Sequence, residues 1–199
     1  MIQLYQGRGG VTTMDDLDRR TTIIEAAERL LSRGGVEAVS MRNVAVEAGV
    51  SLRLVQYYGK SKNELLTTVL QAMSERSVQH WQQALDSASG TRDAPLRAFF
   101  DAALPHDEQS RAFHRLGVSL EQLSASDPDG MGAIYRGHLE RLASSLASQI
   151  DEPDPAAIAH AYEVMALSHG LGSLISTNAI TVQQARAIAS DYMDRYLAT

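Results

Sequence analysis

The segment from Met41 to Lys62 constrains the fold more than any other, because its small and apolar residues have the spacing of two helices joined by a tight turn. Ala45 lies four residues before Gly49, and Val55 lies six residues after it. A small residue where two helices touch, a glycine at the bend and apolar residues on the second helix predict a helix-turn-helix. The outward face of the second helix then carries Ser51, Leu52, Arg53, Gln56 and Tyr57.

Helical periodicity extends over the rest of the chain and predicts an all-α fold of about nine helices. A first helix begins near Asp18 and ends at Gly34-Gly35, and Ser40, Ser51 and Ser61 are the expected N-caps of the next three helices. The fourth helix extends to about Ser87. Five more helices are expected at 95–104, 106–123, 131–150, 155–176 and 182–197.

The chain divides into three parts. Residues 1–17 are expected to be a flexible tail, in which Met14 is an alternative first residue. Residues 18–64 form the helix-turn-helix domain, and residues 65–199 form a larger helical domain. The fourth helix crosses the boundary, so it physically joins the two domains.

The charge distribution differs between the part of the chain up to Lys62 and the part that follows it. Up to Lys62 the chain has 9 basic and 7 acidic residues, a balance of +2; from Asn63 onward it has 9 and 17, a balance of −8, which gives the net −6. Basic residues that could meet phosphate are therefore in the N-terminal third. An excess of two charges is also ordinary for a domain that binds no nucleic acid.

Cysteine usage and hydropathy indicate the compartment. The chain has no cysteine, which fits a reducing environment. The N-terminus lacks the pattern of a secretory signal, and no apolar run is long enough to span a bilayer. We expect a cytoplasmic protein with no membrane partner.

The known signatures of catalysis and metal binding are missing from the sequence. It contains no Glu-x-x-His, no His-Glu-x-x-His and no Gly-x-Ser-x-Gly, and its six histidines are scattered. We expect neither an enzyme nor a metal or cofactor site. Gly170-Leu171-Gly172 lies within a predicted helix, which favours close helix packing or room for a ligand over a phosphate loop.

Residues 18 to about 70 resemble the DNA-binding domain of the TetR family of transcriptional regulators. The resemblance is carried by Ala26-Ala27, Gly34-Gly35, the VAVEAGVS segment at 44–51, Tyr57-Tyr58 and Ser61-Lys62. The remaining chain matches the family only in length and helical layout. Two positions depart from it: Gln56 stands where tyrosine is usual, and Gly59 where phenylalanine is usual. Gln56 could read adenine or lie along phosphate, and Tyr58 could fill the gap at Gly59, or the domain could be looser.

The resemblance implies a ligand-responsive repressor that binds a palindromic double-stranded DNA operator as a dimer. The expected contacts to base edges are Leu52, Arg53 and Gln56. The expected phosphate contacts are Ser40, Arg42, Ser51, Tyr57, Tyr58, Lys60 and Lys62, and Arg8 is either a minor-groove contact or part of a disordered terminus. The sequence does not distinguish a repressor from an activator. The alternative is a small-molecule-binding or protein-interacting regulator whose DNA-binding domain is weak or lost.

The resemblance also implies an unknown small-molecule effector in the C-terminal domain and a homodimer through the last two helices, at about 155–178 and 181–198. Candidate ligand-binding residues are Phe99, Phe100, Phe113, Leu116, Leu120, Tyr135, Tyr162, Met165 and His169. Each could instead belong to the core, and the last two helices could instead complete the core of a monomer. Tyr162 and His169 rank highest, because polar tips buried on an apolar stripe need partners.

Overall fold

The computed structural model describes residues 14–88, 91, 93–150 and 153–197. Nine helices lie within these ranges, which confirms the predicted all-α fold: α1 (Met14–Ala38), α2 (Met41–Ala48), α3 (Leu52–Gly59), α4 (Lys62–Ser87), α5 (Ala94–Ala103), α6 (Glu108–Ser126), α7 (Met131–Ala147), α8 (Asp154–Ser176) and α9 (Val182–Leu197). We refer to α1–α3 as the headpiece. No helix of the described part is long and apolar enough to cross a membrane.

The helix-turn-helix forms through the caps that the sequence predicts. The hydroxyls of Ser40, Ser51 and Ser61 each accept a hydrogen bond from the backbone N–H three residues further on. Gly49 ends α2 in the left-handed region at φ 66°, a conformation that glycine adopts without strain. Val44 and Val55 are fully buried on either side of this turn.

Some helix boundaries differ from the predictions. α1 begins at Met14, so the last four residues of the expected tail are helical, whereas residues 1–13, including Arg8, lie outside the described residues. Gly34 and Gly35 leave the helical conformation as expected, but a helical turn resumes and ends at Ala38. α6 begins at Glu108 because Asp107 and Ser110 form a capping box there.

The buried side chains form two clusters that meet along α4. The first cluster joins the headpiece to α6 and α7, through residues such as Leu116 and Met131. The second packs α5, α7, α8 and α9 around Trp81. α4 contributes Met73 to the first cluster and Trp81 to the second. The predicted domain boundary at 64/65 stays a prediction, since the headpiece core continues into α6 and α7.

Two arginines from outside the headpiece bind α1. Arg76 of α4 forms an ion pair with Glu28. Arg115 of α6 donates its Nε–H to the backbone carbonyl of Ser32 at 3.0 Å. The headpiece is therefore held by polar contacts from two different helices in addition to apolar packing.

Candidate functional sites

The outward face of α3 presents three polar side chains of the predicted DNA-binding set. Arg53 and Gln56 are exposed, and Tyr57 is 69% exposed. Within the described residues no partner pairs with the Arg53 guanidinium. A planar guanidinium and an amide on one helix face are the groups that read guanine and adenine in a major groove.

Leu52 and Tyr58 from the same set are half-buried. Both pack against the first core cluster, and the Tyr58 ring lies 5.0 Å from the Tyr57 ring in an edge-to-face arrangement. They support the shape of the headpiece, which leaves Arg53, Gln56 and Tyr57 as the most accessible side chains of α3.

The predicted phosphate contacts lie in three different settings. The hydroxyls of Ser40 and Ser51 cap α2 and α3 and so mark two helix N-termini, where backbone N–H groups favour anions. Arg42 and Lys60 are exposed. The ammonium of Lys62 donates an N–H to the backbone carbonyl of Val36 at 2.9 Å, so this partly buried bond ties α4 to the last turn of α1.

Two other basic residues of the N-terminal third are paired with one carboxylate. Arg29 Nε lies 2.8 Å and an Arg33 guanidinium nitrogen 2.6 Å from the carboxylate oxygens of Glu47. Hydrogen bonds from both arginines lower the pKa of Glu47. Among the described residues of the predicted DNA-binding set, the basic side chains without an acidic or carbonyl partner are therefore Arg42, Arg53 and Lys60.

Gly59 is buried where α3 meets α4. A Cβ at this position would lie 3.1 Å from the Cβ of Leu65, which is only 2% exposed. Leu65, rather than Tyr58, occupies the space beside Gly59, the position at which the family usually has phenylalanine. The backbone of α3 at Gly59 therefore packs closely against the Leu65 side chain of α4.

A cavity of about 920 Å³ lies among α1 and α4–α8. Seven of the nine predicted ligand-binding residues line it: Phe99, Phe113, Leu116, Tyr135, Tyr162, Met165 and His169. Phe100 and Leu120 do not. Phe100 faces α9, with its ring 6.5 Å from that of Tyr192, and Leu120 is fully buried in the first core cluster.

The expectation that Tyr162 and His169 have buried polar tips is wrong. Tyr162 is 43% exposed, and the side chain of His169 is 48% exposed, with Nε2 3.4 Å from an oxygen of Glu121. α8 is apolar on both sides, so its stripe of apolar residues did not reveal which side faces inward. Both residues line the cavity at its α8 side.

Trp81 and His114 line the cavity but are not among the predicted ligand-binding residues. The indole N–H of Trp81 donates to the Ser145 hydroxyl at 3.0 Å. The ring of His114 packs against Gly172 of α8, where a Cβ would lie 2.6 Å from its Cε1. Burial lowers the pKa of His114, and its Nε2 has no hydrogen-bond partner within the described residues. Gly172 inside a helix was the sequence signal for this close packing.

A buried polar cluster links α4 to α7 beside the cavity. The Ser74 hydroxyl lies 2.9 Å from His138 Nδ1 and accepts a hydrogen bond from Arg141. Burial, and secondarily Arg141, lowers the pKa of His138. Burial, and secondarily Glu121, raises the pKa of Tyr135 to about 12, so this phenol stays protonated. Among the described residues no group of three or more side chains could hold a metal ion.

The outward faces of α8 and α9 expose apolar and small residues. Leu174 of α8 is 43% and Ile188 of α9 is 40% exposed, and Ala166 and Gly170 are exposed on α8 between Tyr162 and Leu174. The opposite side of α8 is buried in the second core cluster. A helix that is apolar on both sides usually has both sides covered.

Comparisons with known proteins place these features in a family context. A family model described as bacterial regulatory proteins, tetR family, matches residues 23–69, and one described as BetI-type transcriptional repressor, C-terminal, matches residues 92–198. The HTH-type transcriptional regulator BetI of Ectopseudomonas mendocina is 29% identical over 90% of this chain and 93% of its own length. The nicotine-responsive repressor HdnoR of Paenarthrobacter nicotinovorans is 33% identical over 46% of this chain and 48% of its own.

Solved structures share the fold. A transcriptional regulator from Saccharomonospora viridis in complex with choline has a TM-score of 0.79 at 21% identity, over 89% of this chain and 96% of its own. A regulator from Pseudomonas aeruginosa PAO1 has a TM-score of 0.78 at 22% identity, over 94% of both chains.

Proposed function

The chain belongs to the TetR family of bacterial regulatory proteins, with a C-terminal domain of the BetI-type transcriptional repressors, and from this premise we propose that it is a homodimeric repressor released from its operator by a small molecule. The observation that carries the proposal is the combination of an exposed Arg53, which has no partner among the described residues, on the second helix of a helix-turn-helix with a cavity of about 920 Å³ among α1 and α4–α8.

The headpiece supports a reader of DNA sequence. Arg53 and Gln56 would contact base edges, while Arg42, Lys60 and the N-termini of α2 and α3 would contact phosphates. The alternative of a weakened headpiece rested on Gly59 and on the modest charge balance of +2. The close approach of Leu65 to Gly59 removes the first of these grounds, because the site is packed rather than empty.

The dimer would form through the exposed faces of α8 and α9. Tyr162, Ala166, Gly170 and Leu174 lie on one side of α8, and the small size of Ala166 and Gly170 would allow two copies of the helix to approach closely. Two headpieces related by a two-fold axis would then read two half-sites about 34 Å apart.

Choline is the first effector to test, since a structural neighbour binds it. Aromatic rings such as Trp81, Phe99 and Tyr135 line the cavity, and a quaternary ammonium group is attracted to ring faces. Glu121, at the α8 side of the cavity, could supply a counter-charge.

Selection of DNA from a random pool by the full chain tests the proposal. We expect a palindrome whose half-sites lie about one helical turn apart, bound by two protomers, with choline weakening the complex about tenfold. A pool without enrichment at low salt would overturn the DNA-binding function. Enrichment without a choline effect would reject choline as the effector, and a thermal-shift screen of other cations and aromatic compounds would then identify the ligand.

A further inference from the structure

One wall of the cavity comes from the headpiece itself. Glu25, Glu28, Arg29 and Ser32 of α1 all line it, on a single helical stripe. We propose that this wall is an effector subsite at which a positively charged group binds the headpiece directly and replaces Arg76 as the partner of Glu28. This inference rests on the proposed function, because it specifies how effector and operator binding would be coupled.

The exposure of the two side chains in the ion pair between Glu28 and Arg76 would allow a ligand cation to replace Arg76. The side chain of Glu28 is only 12% exposed, whereas that of Arg76 is 43% exposed. Burial raises the pKa of Glu28 despite the nearby guanidinium, so the carboxylate depends on a cationic partner to stay charged. A ligand cation would keep Glu28 paired, while Arg76 would regain contact with water.

The charges around the wall favour a cation over an anion. Glu25 lies one turn from Glu28 and repels it. Arg29 is already paired with Glu47. Within the described residues at this wall, carboxylates therefore outnumber the guanidinium groups that are free to balance them.

Occupancy of the wall would act on α3 through α1, without passing through the rest of the C-terminal domain. Arg76 and Arg115 hold α1 to α4 and α6. Residues of α1 share one buried cluster with Val44 of α2 and Val55 of α3. A ligand that separates α1 from α4 would thus shift all three helices of the headpiece, and with them the spacing of the half-site contacts.

A covalent probe tests this without knowledge of the natural effector. Since the chain has no cysteine, Ser32→Cys carries the only thiol, and methanethiosulfonates can attach a trimethylammonium-ethyl, a sulfonatoethyl or a methyl group to it. Thr21→Cys, exposed on α1 and outside the cavity lining, is the matched control. Met165→Cys places the same adducts at the α8 side of the cavity.

We expect the trimethylammonium adduct of Ser32→Cys to lower affinity for the selected operator about tenfold. The methyl adduct, and every adduct of Thr21→Cys, should stay within about twofold of the unmodified variant. Glu28→Gln in the Ser32→Cys background should remove the difference between the cationic and anionic adducts. If Ser32→Cys fails to bind DNA before modification, Glu25→Cys at an exposed position replaces it.

Four outcomes separate the possible failures. Complete modification of Ser32→Cys without loss of operator affinity overturns the subsite, and so does a greater loss with the sulfonate than with the ammonium group. Release by adducts of Met165→Cys alone overturns the subsite but leaves effector control intact. An unmodified chain that selects no operator overturns the proposed function itself.

Discussion

At the scale of single residues, Arg53, which is exposed on α3, is the side chain that we propose reads base edges. We expect Arg53→Ala to weaken binding to the selected operator by about 1–3 kcal/mol and to weaken binding to random DNA less. Arg42→Ala, which removes an expected phosphate contact, should lower both affinities to a similar extent. Fluorescence anisotropy at a fixed salt concentration measures both, and equal losses for Arg53→Ala would contradict a role in base reading.

Lys62 shows why each phosphate contact predicted from the sequence needs its own test. Its ammonium binds the Val36 carbonyl, so Lys62→Ala changes the junction of α1 and α4 as well as any contact with DNA. A loss of affinity in that variant would therefore not identify a phosphate contact, whereas a loss in Arg42→Ala would.

Gly59 allows a second prediction at this scale. Gly59→Phe should destabilise the headpiece by about 1–3 kcal/mol, because Leu65 occupies the space next to its Cα. Leu65→Ala alone should cost about 2–5 kcal/mol. In a double-mutant cycle measured by urea unfolding, the double variant should be more stable than the two separate losses predict. Strict additivity would show that the ring and Leu65 do not compete for the same space.

At the scale of the helices, Gly172 of α8 is a packing position. Glycine usually costs a helix about 1 kcal/mol relative to alanine, yet we expect Gly172→Ala to destabilise the protein because its Cβ would overlap the ring of His114. Gly137→Ala in α7 is the control: its Cβ would meet only the Arg141 guanidinium at 3.4 Å, so it should gain about 0.5–1 kcal/mol. Thermal unfolding measures both, and a stabilised Gly172→Ala would contradict the observed packing.

The buried cluster between α4 and α7 predicts a pH dependence. Because the pKa of folded His138 lies below that of an unfolded histidine, the unfolded chain takes up the proton first as the pH falls. Stability is therefore lost below about pH 6.5 by at most about 1.4 kcal/mol per pH unit from this group. His138→Gln should reduce the fall in melting temperature between about pH 7.5 and about pH 5.5. An unchanged fall would mean that His138 does not contribute.

At this scale the sequence predicted the features that depend on residues close together in the chain. The serine caps and Gly49 act within four residues, so the helix-turn-helix and the helix starts were predictable. The pairs Glu28–Arg76, Ser32–Arg115 and His114–Gly172 join residues far apart in the chain, and periodicity gives no rotation of one helix against another. For the same reason, the outward placement of Tyr162 and His169 could not be predicted from a helix that is apolar on both sides.

At the scale of the whole molecule, the exposed face of α8 predicts a dimer. We expect Gly170→Arg to produce a monomer and to weaken operator binding about 100-fold or more, because the two half-sites would no longer be bound together. Gln79→Arg, at an exposed position on α4, is the charge-matched control and should stay dimeric. Sedimentation velocity gives the mass, and a dimeric Gly170→Arg variant with full affinity would contradict this interface.

The hydrogen bond from Lys62 to the Val36 carbonyl has a mechanical consequence. It fastens the first residue of α4 to the last turn of α1, and Leu65 in the next turn presses on the end of α3. We therefore expect the start of α4 and the three headpiece helices to move together when the headpiece rotates. Any bending that accompanies a rotation of the headpiece must be absorbed further along α4, between Met73 and Trp81, where the helix passes from one buried cluster to the other.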